Sequence, residues 1–203
     1  MKNYRKAAVL LASAAAAVWL SGCGGGTWSG EGADTTTIGI DREGHVTEVV
    51  VEDFSEAYYQ IEELKATVEA EVAAYNTGHL IPGGDAPVTL DGITKKGEQV
   101  RMKTYYATPQ DYAGFTQENL YYGTLRQAAF RGFEMPSKLT DGKGAEYAVS
   151  DGDKNHHVVF TDGHDRIVTP YKIIAYTKGV QLISDYEADF SATEGRGAVL
   201  LEK

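Results

Sequence analysis

Hydrophobic and polar residues change their spacing several times along the chain, and each spacing predicts a different element. Two β-branched runs, residues 35–40 and 46–51, flank a short polar connection that contains Gly44, and this pattern predicts a β-hairpin. Apolar residues then recur at steps of three and four, which is the spacing of one helical face. The members of this stripe are Phe54, Ala57 or Tyr58, Ile61, Leu64, Val68, Val72 and Tyr75. We expect one long amphipathic helix that begins near Asp53 and ends near Gly78.

Further β-strands are predicted on both sides of the middle of the chain. Residues 88–90 and 99–107 are rich in residues that favour strands, and turns are expected at Asp91-Gly92 and at Lys95-Lys96-Gly97. From Glu146 onward, short apolar runs alternate with turns that contain glycine. This spacing predicts a mainly antiparallel sheet.

Two short helices are predicted between these strands. Thr108 is a suitable N-cap with Pro109 at the first helical position, while Thr124 and Gln127 form a capping box for a second helix that ends before Gly132. The fold class expected is therefore α+β, with a mainly antiparallel sheet, one long amphipathic helix and two short helices.

The first residues of the chain follow a different pattern, which is typical of a secretion signal. Lys2, Arg5 and Lys6 precede an uncharged run over residues 7–20 that is shorter than the about 20 apolar residues of a spanning helix. The segment Leu20-Ser21-Gly22-Cys23 resembles the lipobox of bacterial lipoproteins: one aliphatic residue, two small residues and a cysteine. The resemblance implies cleavage between Gly22 and Cys23 and attachment of diacylglycerol to Cys23. Two acyl chains are enough for stable membrane attachment.

An ordinary secretory signal, cleaved near Ser21 or Gly22, is the alternative, and it would leave Cys23 as a free thiol. Cys23 is the only cysteine of the chain, and a lone exported thiol is prone to oxidation, so we favour lipidation. The expected organisation is a lipoprotein signal peptide (1–22), a lipidated cysteine with a glycine-rich flexible tether (23–34) and a single α+β domain (35–203). The domain would lie on the extracytoplasmic face of the cell membrane.

A second resemblance concerns the predicted long helix. Residues 58–69, together with Tyr75-Asn76, resemble a pattern in small lipoproteins of anaerobic Gram-positive bacteria, a group whose function is unknown to us. This resemblance covers one helix and implies no activity.

The charge of the chain restricts its partners. Of 203 residues, 19 are Lys or Arg and 29 are Asp or Glu, which gives a formal net charge of −10. Removal of the signal also removes its three cations, so the mature chain carries −13. Nucleic acid and anionic head groups are poor partners for such a chain, because both are bound by clustered Lys and Arg. The expected partners are the membrane through the lipid anchor and a protein or a glycan; a cationic partner or a divalent metal stays open.

The segment from Asp151 to Asn155 begins like the calcium loop of an EF-hand, so Asp151, Asp153 and Asn155 are candidate metal ligands. His156 and Asp162 stand where that loop requires glycine and glutamate, and a polar turn is the favoured alternative. His156, His157 and His164 are ligand types for zinc. Because neighbouring residues on a strand point to opposite faces, His156 and His157 are not expected to reach one ion.

Three tyrosine pairs are the remaining candidates for binding: Tyr58-Tyr59, Tyr105-Tyr106 and Tyr121-Tyr122. Tyrosine offers contact area and a hydroxyl at low entropic cost. Adjacent side chains diverge, so we expect Tyr59, Tyr106 and Tyr122 to face outward as ligand-binding residues. Structural packing without any ligand is the alternative.

The chain contains none of the usual sequence motifs of nucleophilic, zinc-protease or phosphate-loop chemistry, and no catalytic residue or cofactor is predicted. The function expected is a membrane-anchored, non-enzymatic binding or interaction module. The alternative is a small hydrolase that uses Asp and Glu on cell-wall or carbohydrate material; two carboxylates about 5–10 Å apart in a cleft, one with a raised pKa, would favour it.

Replacing the predicted lipid attachment residue tests the anchor. We expect Cys23→Ala to move the protein from the membrane fraction to the soluble fraction, because stable attachment needs the acyl chains. Fractionation and immunoblotting measure the distribution, with Ser21→Ala as a control that keeps a small residue in the lipobox. Membrane partitioning of Cys23→Ala equal to that of the native chain would contradict the anchor.

Overall fold

The computed structural model describes residues 28–56, 58–80 and 83–203. The predicted signal, the cleavage site and Cys23 lie outside the described residues. In chain order, the elements are β1 (Thr37–Ile40), β2 (Val46–Asp53), α1 (Ile61–His79), β3 (Val88–Lys96), β4 (Gln99–Tyr106), α2 (Pro109–Thr116), β5 (Leu120–Thr124), α3 (Leu125–Phe130), β6 (Lys138–Asp141), β7 (Glu146–Ala148), a 3-10 helix (Asp151–Asn155), β8 (His157–Thr161), β9 (Arg166–Val168), β10 (Ile173–Tyr176), β11 (Gln181–Ser184), β12 (Glu187–Asp189) and β13 (Gly197–Leu201).

The strands of this part of the chain form two sheets. One has seven strands in the order β11-β12-β9-β1-β2-β4-β3, and the other has six in the order β5-β8-β13-β10-β6-β7. Every pairing within these sheets is antiparallel except that of β1 with β9. The α+β class with a mainly antiparallel arrangement is confirmed, although the sheet is divided in two.

The two predicted hairpins differ in how well they agree with the structure. The β1–β2 hairpin is confirmed, with Ile40 opposite Val46. The predicted turn at Asp91-Gly92 is wrong, because β3 continues through it and the register shifts between Leu90 and Gly92. An extra residue in one strand of a continuous pair is absorbed as a β-bulge. The chain reverses later, at Gly97, where φ is +64°.

The long helix begins seven residues later than its apolar pattern predicts. Asp53 still belongs to β2, where it pairs with Gln99 of β4, so strand pairing prevails over the local helical spacing. Helix α1 begins at Ile61 with no side-chain cap, and Val68 is its one fully buried residue. An apolar face packed into the core is thus not confirmed. The Asn76 side chain ties the helix to β3 through bonds to both backbone groups of Val88, at 2.8 and 3.0 Å.

Both short helices begin at the predicted caps. The Thr108 hydroxyl accepts from the backbone N–H of Asp111 at 3.1 Å, and Pro109 is the first residue of α2. At the start of α3, the Thr124 hydroxyl accepts from the N–H of Gln127, whose own amide oxygen accepts from the N–H of Thr124. These caps satisfy backbone donors that a helix start leaves unpaired.

The main core depends on β13, which lies in the middle of the six-stranded sheet and is buried along its whole length. Val199 and Leu201 belong to a cluster that also includes Ile38 of β1, so it joins the two sheets. Ala198 and Leu200 belong to a second cluster with residues of α3. The strand is therefore apolar on both faces, as the continuous hydrophobic run 198–201 suggests.

Residues 28–34 form no helix or strand, yet they pack against the outer face of the seven-stranded sheet. The Trp28 side chain occupies the space above Gly39, where even a Cβ would not fit. The Arg101 guanidinium donates to the carbonyl oxygens of Gly30 and Ala33. Residues 28–34 are therefore not a free spacer as predicted, because the seven-stranded sheet supplies hydrogen-bond partners for their backbone.

A cavity in the second core tests the role of β13. We expect Leu200→Ala to lower the free energy of unfolding by about 2–5 kcal/mol, because Leu200 is fully buried and the site is enclosed by two elements. Urea unfolding followed by circular dichroism measures the loss. Ile183→Ala, at a side chain that is 49% exposed, should change it by about 1 kcal/mol or less. Equal losses for the two variants would contradict this assignment of the core.

Candidate functional site

A cavity of about 370 Å³ lies where the β1–β2 hairpin loop meets the segment leading into α2 and the end of β5. Its volume is at the lower end of the range of small-molecule sites. The residues that line it come from five separate parts of the chain. They are Arg42, Glu43, Gly44, Ala107, Thr108, Pro109, Gln110, Tyr121, Tyr122, Gly123, Gln127, Arg131 and His157.

Two stacked aromatic rings form one side of this cavity. The ring of Tyr122 on β5 stacks on that of His157 at the start of β8, with centroids 5.1 Å apart and planes 25° apart. The His157 ring also contacts Tyr171, at 5.3 Å. Gly44 lets the hairpin loop approach this stack: its φ is +91°, and a Cβ there would lie 3.4 Å from the Tyr122 ring. Glycine is the residue that adopts this backbone conformation without strain.

The Tyr122 hydroxyl is buried, and its surroundings include Tyr171, Asp41 and Glu43. Burial raises the pKa of Tyr122 far above its usual value, and the charges of these three residues and a weak hydrogen bond with Tyr171 raise it further. The hydroxyl therefore stays protonated at physiological pH. Because its oxygen is shielded from solvent, the hydroxyl is not offered to the cavity, and the ring is the part of Tyr122 that lines it.

His157 is held in one tautomer by the chain that follows β13. Its Nδ1 lies 2.6 Å from the carbonyl oxygen of Lys203, and because a carbonyl only accepts, Nδ1 carries the proton. Burial lowers the pKa of His157, and the hydrogen bond to Lys203 opposes this effect. The ring is therefore neutral at neutral pH, with Nε2 left as an acceptor.

Positive charge is concentrated around this aromatic group. The guanidinium of Arg42 lies 5.5 Å from the centre of the Tyr171 ring, and the ammonium of Lys203 lies 5.9 Å from it. Arg131 lines the same cavity from the end of α3. Neither Arg42 nor Arg131 forms an ion pair with a residue that the structure describes, whereas Arg196 is paired with Asp162 at 2.8 Å. The cavity thus offers two guanidinium groups that form no ion pair among the described residues, and Glu43 is the one carboxylate in its described wall.

A group of metal-ligand types lies beside the cavity, in the β1–β2 loop. One ligand atom each of Asp41, Glu43 and His45 lies within 4.8 Å of the others. Asp41 is 8% exposed and accepts from both the backbone N–H and the Nδ1 of His45, each at 2.8 Å. These two hydrogen bonds close the β1–β2 hairpin, and this structural role explains why Asp41 and His45 lie together.

The structure separates the three tyrosines that were predicted to face outward. The prediction for Tyr106 is wrong: the side chain is 1% exposed, and its hydroxyl donates to Oε2 of Glu48 at 2.6 Å inside the core. The pairing of β4 between β2 and β3 turns its neighbour Tyr105 to the outer face instead. Tyr59 is 38% exposed beside Phe54 but does not line the cavity. Tyr122 lines it.

Asp151, Asp153 and Asn155, the predicted metal ligands, all lie in the 3-10 helix, and the two aspartates make contacts within the protein. Asp153 is buried, and its carboxylate accepts from the Tyr147 hydroxyl at 2.6 Å and from the backbone N–H of Ser150 at 2.7 Å. Asp151 forms an exposed ion pair with Lys154. These contacts support the alternative of a polar turn.

The three histidines with zinc-ligand chemistry lie in different surroundings. His156 lies 3.5 Å from Asp153, His157 lines the cavity, and the Nδ1 of His164 lies 3.4 Å from the carbonyl of Phe190. Across residues 28–56, 58–80 and 83–203, the one group of three metal-ligand side chains does not include any of them.

Sequence reasoning missed Arg42, Arg131 and the pairing of His157 with Tyr122. The only local signal was Gly44 in a tight loop after Arg42, because the other contacts join residues far apart in the chain.

No protein-family model, curated protein or solved structure significantly matches the chain. Of the helices that the structure describes, none combines the length and the apolar composition needed to cross a membrane.

The lowered pKa of His157 predicts an acid sensitivity. The folded protein binds this proton less readily than the unfolded chain, so the stabilisation is present above the ordinary histidine pKa of about 6.5 and is lost as the pH falls below it. We expect His157→Gln, which keeps a donor for Lys203, to reduce the loss of unfolding free energy between about pH 7.5 and about pH 5 by up to about 1 kcal/mol, since the ring is half-buried.

Denaturant unfolding at the two pH values measures this difference. His79→Gln, at an exposed position on α1, serves as the control. If His157→Gln and the native chain lose the same stability on acidification, the neutral, buried state of His157 is refuted.

Proposed function

We propose that this protein is a lipid-anchored, non-enzymatic binding module on the outer side of the membrane, and that it holds its ligand in the cavity at Tyr122. The observation that carries this proposal is the composition of the cavity wall. An aromatic stack, a histidine Nε2 that can accept, and two guanidinium groups without an ion pair among the described residues meet there. Sites that bind small polar ligands combine an apolar wall with a few placed polar groups in this way.

The packing of residues 28–34 supports a short connection to the membrane. Five peptide units separate Cys23 from Trp28, and a fully extended chain of that length spans at most about 18 Å. Because Trp28 packs on Gly39, the lipid at Cys23 holds the seven-stranded sheet close to the membrane surface. We also propose that residues 35–203 act as one domain, with residues 28–34 packed against it, and that α1 turns an acidic face to water. A buried cluster shared by both sheets and the exposed Glu62 and Glu63 support these two points.

The arrangement of carboxylates favours a binding module over a hydrolase. Of the residues that line the cavity, Glu43 is the one carboxylate, whereas acid/base hydrolysis of glycosides uses two. Burial raises the pKa of Glu187, and Asp189 lies nearby on β12, but neither lines the cavity. Arg166 acts on both carboxylates: its charge opposes the rise in the pKa of Glu187, and it forms an ion pair with Asp189 at 3.5 Å. This is the geometry of a structural charge cluster.

Site-specific photo-crosslinking in the native envelope tests the binding module. A photoreactive residue replaces Gln110, which lines the cavity, in the full-length lipoprotein. We expect a discrete adduct on irradiation. Arg131→Gln should reduce its yield about five- to tenfold, because it removes a charged hydrogen-bond donor from the cavity wall. Arg131 is exposed, so the fold of this variant should be kept.

The matched control places the photoreactive residue at Lys96, an exposed position on the β3–β4 hairpin outside the cavity. Mass spectrometry identifies the products. Bulk lipid and wall material alone, recovered equally from both positions, would reject a ligand in this cavity.

A further inference from the structure

We propose that the ligand of this cavity is a sugar ring that carries an anionic group, a carboxylate or a phosphate. The proposal rests on the binding function above and adds the chemical class of the ligand. It follows from three features of the wall: its charge, its flat aromatic surface and the hydrogen-bonding groups left over after internal pairing.

The charge of the wall opposes the charge of the molecule. The full chain carries a formal net charge of −10, yet Arg42 and Arg131 both line the cavity without an ion-pair partner in the described part of the chain. Lys203 adds a third cation next to Tyr171. Guanidinium groups bind carboxylate and phosphate through paired N–H donors. Two such groups left unpaired in an acidic protein point to an anion as the missing partner.

The aromatic part of the wall indicates a ligand larger than a simple anion. Tyr122 and His157 form a nearly parallel stack, and burial keeps the His157 ring neutral. The faces that the two rings turn toward each other are occupied by the stack, so a ligand meets the parts of both rings that line the cavity. This apolar surface suits the C–H groups of a sugar ring, whereas inorganic phosphate or a small carboxylate would leave it uncovered.

The remaining polar groups suit hydroxyls. The amide oxygen of Gln127 is used by the Thr124 cap, which leaves its NH₂ group to donate to a ligand. The carboxylate of Glu43 and the Nε2 of His157 accept, and the guanidinium groups of the wall donate. Donors and acceptors spread around a cavity of about 370 Å³ match the alternating hydroxyls of a sugar. Glu43 alone would repel an anion, but two guanidinium groups outweigh it.

Calorimetric titration of the full-length lipoprotein in detergent micelles tests this inference with two matched probe pairs. Trigalacturonic acid is compared with its methyl ester, and glucose 6-phosphate is compared with glucose. We expect the charged member of at least one pair to bind about tenfold more tightly, as a charge-assisted hydrogen bond would produce. The pair that shows this difference identifies the anion as carboxylate or phosphate.

Arginine variants connect the preference to the cavity. Arg42→Gln and Arg131→Gln should each weaken binding of the charged probe about five- to tenfold and leave the neutral probe unchanged. Arg126→Gln is the matched control. Arg126 is exposed on α3, the helix that ends one residue before Arg131, and it does not line the cavity. Circular dichroism melting confirms that each variant is folded.

Three results would overturn the assignment of the ligand as an acidic sugar. They are equal binding within both pairs, no binding of any probe at millimolar concentration, and charged-probe affinities of Arg131→Gln equal to those of Arg126→Gln. If the adduct at Gln110 still forms in the envelope, only the sugar assignment is rejected. If that adduct is also missing, the proposed function is rejected with it.

Discussion

The burial of β13 on both faces is the constraint on which the rest of the molecule depends. Val199 and Leu201 point toward the core between the sheets, and Ala198 and Leu200 point toward the core beneath α3. Because side chains of a strand alternate, one short segment supplies both cores at once. A polar residue at any of these positions would be buried without a partner, which costs free energy in either core.

This constraint extends from the core to the cavity. Two residues after β13 ends, the carbonyl of Lys203 fixes the proton of His157 on Nδ1. His157 in turn stacks on Tyr122, whose ring packs partly against the core between the sheets. The cavity wall is therefore held by contacts that continue into the core, and a wall held in this way loses little side-chain entropy when a ligand binds.

The segment before β1 and the cavity give the molecule two different surfaces. Trp28 and the carbonyls held by Arg101 cover the outer face of the seven-stranded sheet. The cavity lies at the hairpin end of β1 and β2, where Arg42 and Gly44 stand in the connecting loop. Lipid attachment at Cys23 would thus act through the covered sheet face and leave the binding function to the loop end. In the proposed function, anchoring and ligand recognition therefore use separate residues.

Local sequence determined the hairpin at Gly44, the helix start at Thr108 and the capping box of Thr124 with Gln127, because each depends on interactions within a few residues. Tertiary structure decided where α1 begins, that Asp91-Gly92 is a bulge, and that Tyr106 is buried. In each case the pairing of β4 with β2 or with its hairpin neighbour β3 outweighed the local pattern. The cavity likewise could not be predicted from the sequence, since its wall joins loops that the sheet topology brings together. The spacing of apolar residues predicts helices and strands, but it does not predict which distant residues come into contact, and a site of this kind depends on those contacts.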